Sequence, residues 1–242
     1  MPNPVVKNLE NVAAKTGGSA LPMTLQGTIN KSIILFLLVI LSGTYTWKLT
    51  MVGNAMAMSL LWVGVIGGFI TALIGIFSPK IIHIIAPIYA LFEGLFLGAI
   101  SAVFNAVYNG IVLQAILLTF AVFTVMLLLY KFRILKATPG FVKGIIYATG
   151  GIALYYLVAI GAQAFFHKDL SVFAMGTAGI FVQIIIVGIA ALNLVLDFNY
   201  IETGISQGLP KKMEWYGAFG LLITIVWLYI EILRLLAIAN RR

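Results

Sequence analysis

Seven apolar stretches, each long enough to cross a bilayer, restrict this chain more than any other feature. They fall at residues 31–50, 55–77, 82–104, 110–130, 144–166, 171–203 and 214–237. A helical span needs about 20 mostly apolar residues, whereas a strand span would alternate over about ten. Runs such as 33–40 and 180–196 do not alternate, so the windows predict helices. Hydrophobic residues make up 62% of the 242 and charged residues 9%, against about 25% charged in ordinary soluble proteins. With a mean hydropathy of +1.10, too little polar surface remains to wrap a soluble globule. Disorder, a collagen-like rod, a soluble enzyme and a disulfide scaffold are all excluded. The expected fold is an all-α polytopic membrane protein.

The connections at 79–80, 105–109 and 166–170 are short, which makes sequential helices antiparallel neighbours. The chain therefore reads as a cytoplasmic tail over residues 1–30 and one seven-helix transmembrane domain over 31–242. Pro2, Pro4, Gly17, Gly18 and Pro22 mark the tail as mostly irregular. Val5, Leu9, Val12 and Ala13, beside Lys7 and Lys15, allow a short interfacial helix as the alternative. No apolar segment precedes residue 31, so the first span is expected to direct insertion without a cleaved signal.

The formal charge is +8. Its cations are scattered between apolar runs and form no basic face with an aromatic platform, so nucleic acid is not an expected partner. Their distribution instead sets orientation. Ten fall on one side: Lys7, Lys15, Lys31, Lys80, Lys131, Arg133, Lys136, Lys143, Lys211 and Lys212. Lys48, Lys168, Arg241 and Arg242 fall on the other, and Arg234 lies inside the last window. The N-terminus is expected in the cytoplasm and the C-terminus outside. With no cysteine, thiolate metal sites and thiol nucleophiles are excluded.

Small residues at 64–68, at 94–98 and at Gly217 and Gly220 supply faces where helix backbones approach closely. Acids are rarer and more informative. Of seven, Glu93, Asp197, Glu202 and Glu231 fall within or at the ends of spans. An ionisable group at the bilayer centre costs at least about 2.5 kcal/mol, so it faces protein, water or a partner charge.

At about 100° per residue, Gln183, Asn193 and Asp197 share a stripe of the sixth helix. Asp197 reads as a functional acid on that polar stripe, or as a solvated acid at a watery helix end. Glu202 points about 140° away and reads as an interfacial charge. Gly217, Gly220, Thr224 and Glu231 share one face of the seventh helix. Glu231 has Arg234 at i+3, so either it carries a function or the two charges neutralise each other. Glu93, six residues after the helix-kinking Pro87, reads as a path residue or a packing residue. His83 and His167 lie at span ends, and two isolated histidines make no transition-metal site.

Enzyme constellations are missing. No histidines stand at i and i+4 for a zinc helix. Only Asp169 and Asp197 are available for an aspartyl dyad, and Asp169 is in a loop. The last span has no Schiff-base lysine. The chain is expected to be no enzyme and to need no cofactor.

Three motifs then carry a resemblance. The stretch 93–101 (EGLFLGAIS), Asp197-Phe198-Asn199 and Leu228-Tyr229-Ile230-Glu231 resemble, in that order, signatures of the Bax inhibitor-1 (transmembrane Bax inhibitor motif) family. The stretch 210–216 (PKKMEWY) is similar to a bacterial YccA-like branch. The resemblance spans about residues 23–240 and implies a seven-helix bundle with the last helix central. It also implies a pH-sensitive Ca²⁺ leak in a bacterial inner membrane, gated by a hydrogen-bonded acid pair, here Asp197 and Glu231. Arg234 and Lys80 are the candidate positive partners, and Gln183, Asn193, Thr224 and Glu93 the candidate path or packing residues.

The physics of such a gate is simple. Two carboxyls close together in a low-dielectric site do not both ionise cheaply, so they share a proton and titrate as a unit. Protonated, Asp197 and Glu231 would bridge the sixth and seventh helices. Ionised, they would repel and offer hard oxygen ligands to passing Ca²⁺. The competing class is a membrane-embedded regulator, without transport of its own, acting on a quality-control protease or another membrane partner.

Overall fold

A computed structural model describes residues 21–241. The expectations for the tail up to residue 20 lie outside the described residues. Among those described, seven helices are long and apolar enough to cross a membrane. They are α1 (Leu25–Met51), α2 (Met56–Phe77), α3 (Ile82–Val107), α4 (Ile111–Lys131), α5 (Pro139–Phe166), α6 (Thr177–Ser206) and α7 (Met213–Asn240). No strand is present among them, only one isolated bridge between Pro22 and Pro210.

Local chemistry sets the boundaries where the apolar windows were too blunt. The first helix starts at Leu25, taking in residues assigned above to the tail, because the Thr24 side chain accepts from Gly27 N–H as an N-cap. Thr138 caps α5 in the same way, with Pro139 in the first turn, so that helix opens five residues before its window. The sixth window is shortened instead. A 3-10 turn, Val172–Met175, ends at Gly176 with φ +57°, and α6 starts only after it. Helix α3 runs on through Pro87.

The chain divides into two compact units. The first holds the described residues up to Ile100 together with Asn199–Leu222. Its helices meet through glycines. A Cβ on Gly64 of α2 would stand 2.7 Å from the Phe92 carbonyl and the Phe96 amide of α3. One on Gly94 or Gly98 of α3 would overlap the α1 backbone at Val39 or Gly43. Small residues thus act here as the sequence predicted, by removing the side chains that would hold helix axes apart.

The same unit ties the start of α1 to the α6–α7 connection. Met23 N–H donates to the Leu209 carbonyl at 2.6 Å, and Lys211 N–H to that of Leu21 at 2.8 Å. Glu214, wholly buried in the first turn of α7, accepts from Thr24 N–H at 3.0 Å and from its hydroxyl at 2.9 Å. It also pairs with Lys31, whose ammonium lies 5.5 Å from the Trp215 ring centre. Gly27 leaves room for it, since a Cβ there would overlap the Glu214 carboxylate.

The second unit holds Ser101–Phe198 and the chain from Ile223 onward. Its helix α5 packs loosely: 11% of its most apolar window is buried, the smallest share of the seven. Gly140, Gly144, Gly150, Gly151 and Gly161 of α5 would each meet nothing within 4 Å if given a Cβ. Helix α7 is the opposite case, with 56% of its window buried against 39% or less elsewhere.

Candidate functional site

The polar centre of the second unit is built on α7. Trp227, Glu231 and Arg234 stand at i−4, i and i+3, so helical geometry alone brings them to one patch. Tyr156 of α5 and Gln183 of α6 complete it. Glu231, 2% exposed, accepts from the Tyr156 hydroxyl at 2.9 Å to either oxygen and from Trp227 Nε1 at 2.9 Å. Gln183 Nε2 donates to its carboxylate at 2.7 Å and to its main-chain carbonyl at 2.9 Å. Arg234 forms the ion pair at 3.0 Å, donates to the Tyr156 hydroxyl oxygen and lies 4.9 Å from that ring's centre.

Four side chains from three helices thereby saturate one carboxylate, whose two oxygens have about four lone-pair sites. The neutralising pair with Arg234, one of the two sequence readings, is present. Its chemistry is that of an anchor: the charge is compensated, and its oxygens have little left for a cation. Nearby, the Ser101 and Tyr229 hydroxyls stand 2.7 Å apart, joining the first and third of the resemblance motifs.

Asp197 is placed differently. Its Oδ2 is buried without a hydrogen-bond partner, and the polar side chain beside its carboxyl is Thr224. Thr224 precedes Glu231 by about two turns of α7, a rise of about 10 Å. The structure therefore brings Asp197 to Thr224 and Glu231 to Arg234; Asp197 is not among the hydrogen-bond partners of Glu231. No hydrogen bond joins the two acids. The reason is register: Gln183, about four turns before Asp197 on α6, occupies the level of Glu231.

The α6 stripe also divides between neighbours. Gln183 and Asp197 face α7, whereas Asn193 donates to Thr149 of α5 at 2.9 Å and to the Ile189 carbonyl at 2.9 Å. Gln183 Oε1 remains buried and unpartnered.

None of the remaining candidates is a hydrogen-bond partner of Glu231. Glu93 is half-buried in the first unit, with Tyr89 beside it one turn earlier on α3. A Cβ on Gly68 would be 3.2 Å from its Oε1, so α2 approaches closely there. Lys80 is exposed in the turn Pro79–Ile81 and makes no ion pair among the described residues. Glu202 is exposed near the end of α6. Asp169 lies between α5 and α6, where the Ser171 side chain and amide hold its carboxyl below the usual carboxylate range. Both histidines are exposed, and no cluster of three His, Asp or Glu side chains forms among the described residues.

Sequence reasoning missed Tyr156, Trp227 and Glu214. Trp227 was readable, because an indole one turn before a buried acid is placed to donate to it. Tyr156 and Glu214 were not, since their partners are remote in the chain.

No curated protein and no solved structure matches this chain. The family model described as Bax inhibitor 1 like matches residues 3–241. That match takes in all three motifs, the saturated Glu231 patch and Asp197. The chain is a multi-pass membrane protein and belongs to the Bax inhibitor 1 like family.

Proposed function

We propose that this protein is a pH-sensitive Ca²⁺ leak of the bacterial inner membrane, closed where Asp197 of α6 meets Thr224 of α7. The observation that carries the reading is the buried, unpartnered Oδ2 of Asp197 on a membrane-spanning helix. An acid kept in such a place is a functional candidate by default, and its companion Glu231 is already compensated. The family's motifs support the same activity.

With its proton on, the Asp197 carboxyl is neutral and α6 rests on α7. With its proton off, a bare charge has one hydroxyl beside it, and burial of an uncompensated charge is costly. Water and a hard cation then enter, and carboxylate oxygens suit Ca²⁺. Flux should therefore fall on acidification and rise as pH rises through the titration of Asp197. Ca²⁺ is cargo in this scheme, protons are the signal, and neither a cofactor nor covalent chemistry is required. The N-terminus and the loop at residues 131–143 lie in the cytoplasm, and the C-terminus lies outside.

Purified protein in liposomes, with a Ca²⁺ indicator inside and external pH varied, tests the reading. The expected result is passive Ca²⁺ entry that declines as the medium is acidified. Absence of flux at every pH, with activity appearing only beside a client protease or other membrane protein, would replace the leak with the regulator.

A further inference from the structure

Residues 21–24, just ahead of α1, lie as a strap across the α6–α7 connection. Pro22 stands opposite Pro210 in a single antiparallel bridge. The Met23 N–H bond to the Leu209 carbonyl and the Lys211 N–H bond to the Leu21 carbonyl flank it. Proline has no N–H, so neither residue of the pair can donate to a longer ladder. The pairing is confined to one bridge.

What the strap grips is both helices at once. The Met23 side chain is 2% exposed, in a buried cluster with Ile201, Leu209 and Met213. A Cβ on Gly204 of α6 would stand 3.1 Å from its Sδ, and one on Gly217 of α7 would stand 3.4 Å from its Cε. The thioether therefore touches α6 with its sulfur and α7 with its methyl. Thr24 adds a third point through Glu214 of α7. Yet Leu21, Pro22 and Thr24 are themselves exposed. Unlike the glycine contacts among α1, α2 and α3, main-chain bonds at such a place can pass to water. An unbranched methionine can withdraw by rotating its own bonds.

We propose that residues 21–24 are a releasable strap on the leak, with Met23 as the positioning residue that keeps α6 against α7 until Asp197 leaves Thr224. Asp197 and Thr224 lie within about three turns of the ends of α6 and α7 that the strap grips. A stiff helix that swings at Asp197 carries its end with it, so the strap must let go. This inference rests on the leak reading, but release of the strap is measurable without flux.

The chain has no cysteine, so engineered thiols are the only ones present. Opposite residues in a non-hydrogen-bonded antiparallel pair have Cα atoms about 4.5 Å apart, within the range of about 4.4–6.8 Å that a disulfide spans. Pro22→Cys with Pro210→Cys should therefore cross-link on oxidation. Ca²⁺ flux into liposomes should then fall by on the order of tenfold and return on reduction, with neither single variant responding. In lipid nanodiscs, Met23→Cys should react with a soluble maleimide on the order of tenfold more slowly than the exposed Leu21→Cys, yet go to completion. Leu222→Cys, wholly buried in α7, should stay unreacted. Cross-linked protein that conducts like the reduced form overturns the proposal, as does a Met23→Cys no more reactive than Leu222→Cys. A wild type without flux whose Met23→Cys variant still reacts would remove the leak and uphold release of the strap.

Discussion

Gly98 of α3 and Gly151 of α5 both lie in small-residue stretches of apolar helices, yet their surroundings are opposite. A methyl group on Gly98 would overlap the Gly43 carbonyl, whereas one on Gly151 would meet nothing within 4 Å. The same contrast holds across the two compact units. In the first, α1, α2 and α3 meet backbone to backbone at glycines. In the second, α5 is joined to α6 and α7 by polar side chains, Tyr156 to Glu231 and Asn193 to Thr149. Contacts made by shape have no cheap intermediate, because close-packed atoms lose their contacts outright on separation. Hydrogen-bonded contacts can exchange a protein partner for water. A proton-dependent opening is therefore more easily built into the second unit, and Asp197 lies there.

The largest effect should come from breaking the steric side of this contrast. Gly98→Ala should destabilise the protein by about 3 kcal/mol, since overpacking typically costs about 1–3 kcal/mol and the obstacle here is backbone. A denaturation midpoint within error of wild type would dissolve the contrast. Next is Glu231→Gln, which leaves Arg234 without its counter-charge. Removing one partner of a buried pair costs about 3–5 kcal/mol. Because the Arg234 side chain is 26% exposed, we expect a smaller loss of about 2–3 kcal/mol. Replacing Glu231 and Arg234 together by Met should recover part of it, and thermal melts of the single and double variants form the cycle.

Smaller still is Asn193→Ala. Interhelical hydrogen bonds in membranes average about 0.6 kcal/mol, so the midpoint should fall slightly, with the loss absent in a Thr149→Val background. The smallest effect, and of opposite sign, is Gly151→Ala. With open space around it, alanine should stabilise α5 by about 0.5–1 kcal/mol. A marked loss in the same melts would show that the α5 glycines are packed after all.

Much of this was legible in the chain. Apolar run length gave all seven spans, and the close-approach glycines at 64–68 and 94–98 were readable from spacing. The Glu231–Arg234 pair was readable too, because both residues belong to one helix. What periodicity does not carry is the register between helices. It put Gln183, Asn193 and Asp197 on one stripe, but not which of them reaches the level of Glu231. The expected Asp197–Glu231 pair depended on that missing quantity, and Gln183 holds the place instead. The Glu214–Lys31 contact was hidden for the same reason, since no local pattern joins two residues from opposite ends of the sequence.

The central claim is that Asp197 titrates and Glu231 anchors. Ca²⁺ flux into liposomes, recorded against pH for Asp197→Asn and for Glu231→Gln, tests it most directly. Asp197→Asn should give a flux independent of pH, because the amide neither binds nor releases the proton. Glu231→Gln should keep the fall on acidification, with lowered stability. A pH profile unchanged from wild type in Asp197→Asn, or one abolished only in Glu231→Gln, would contradict the account.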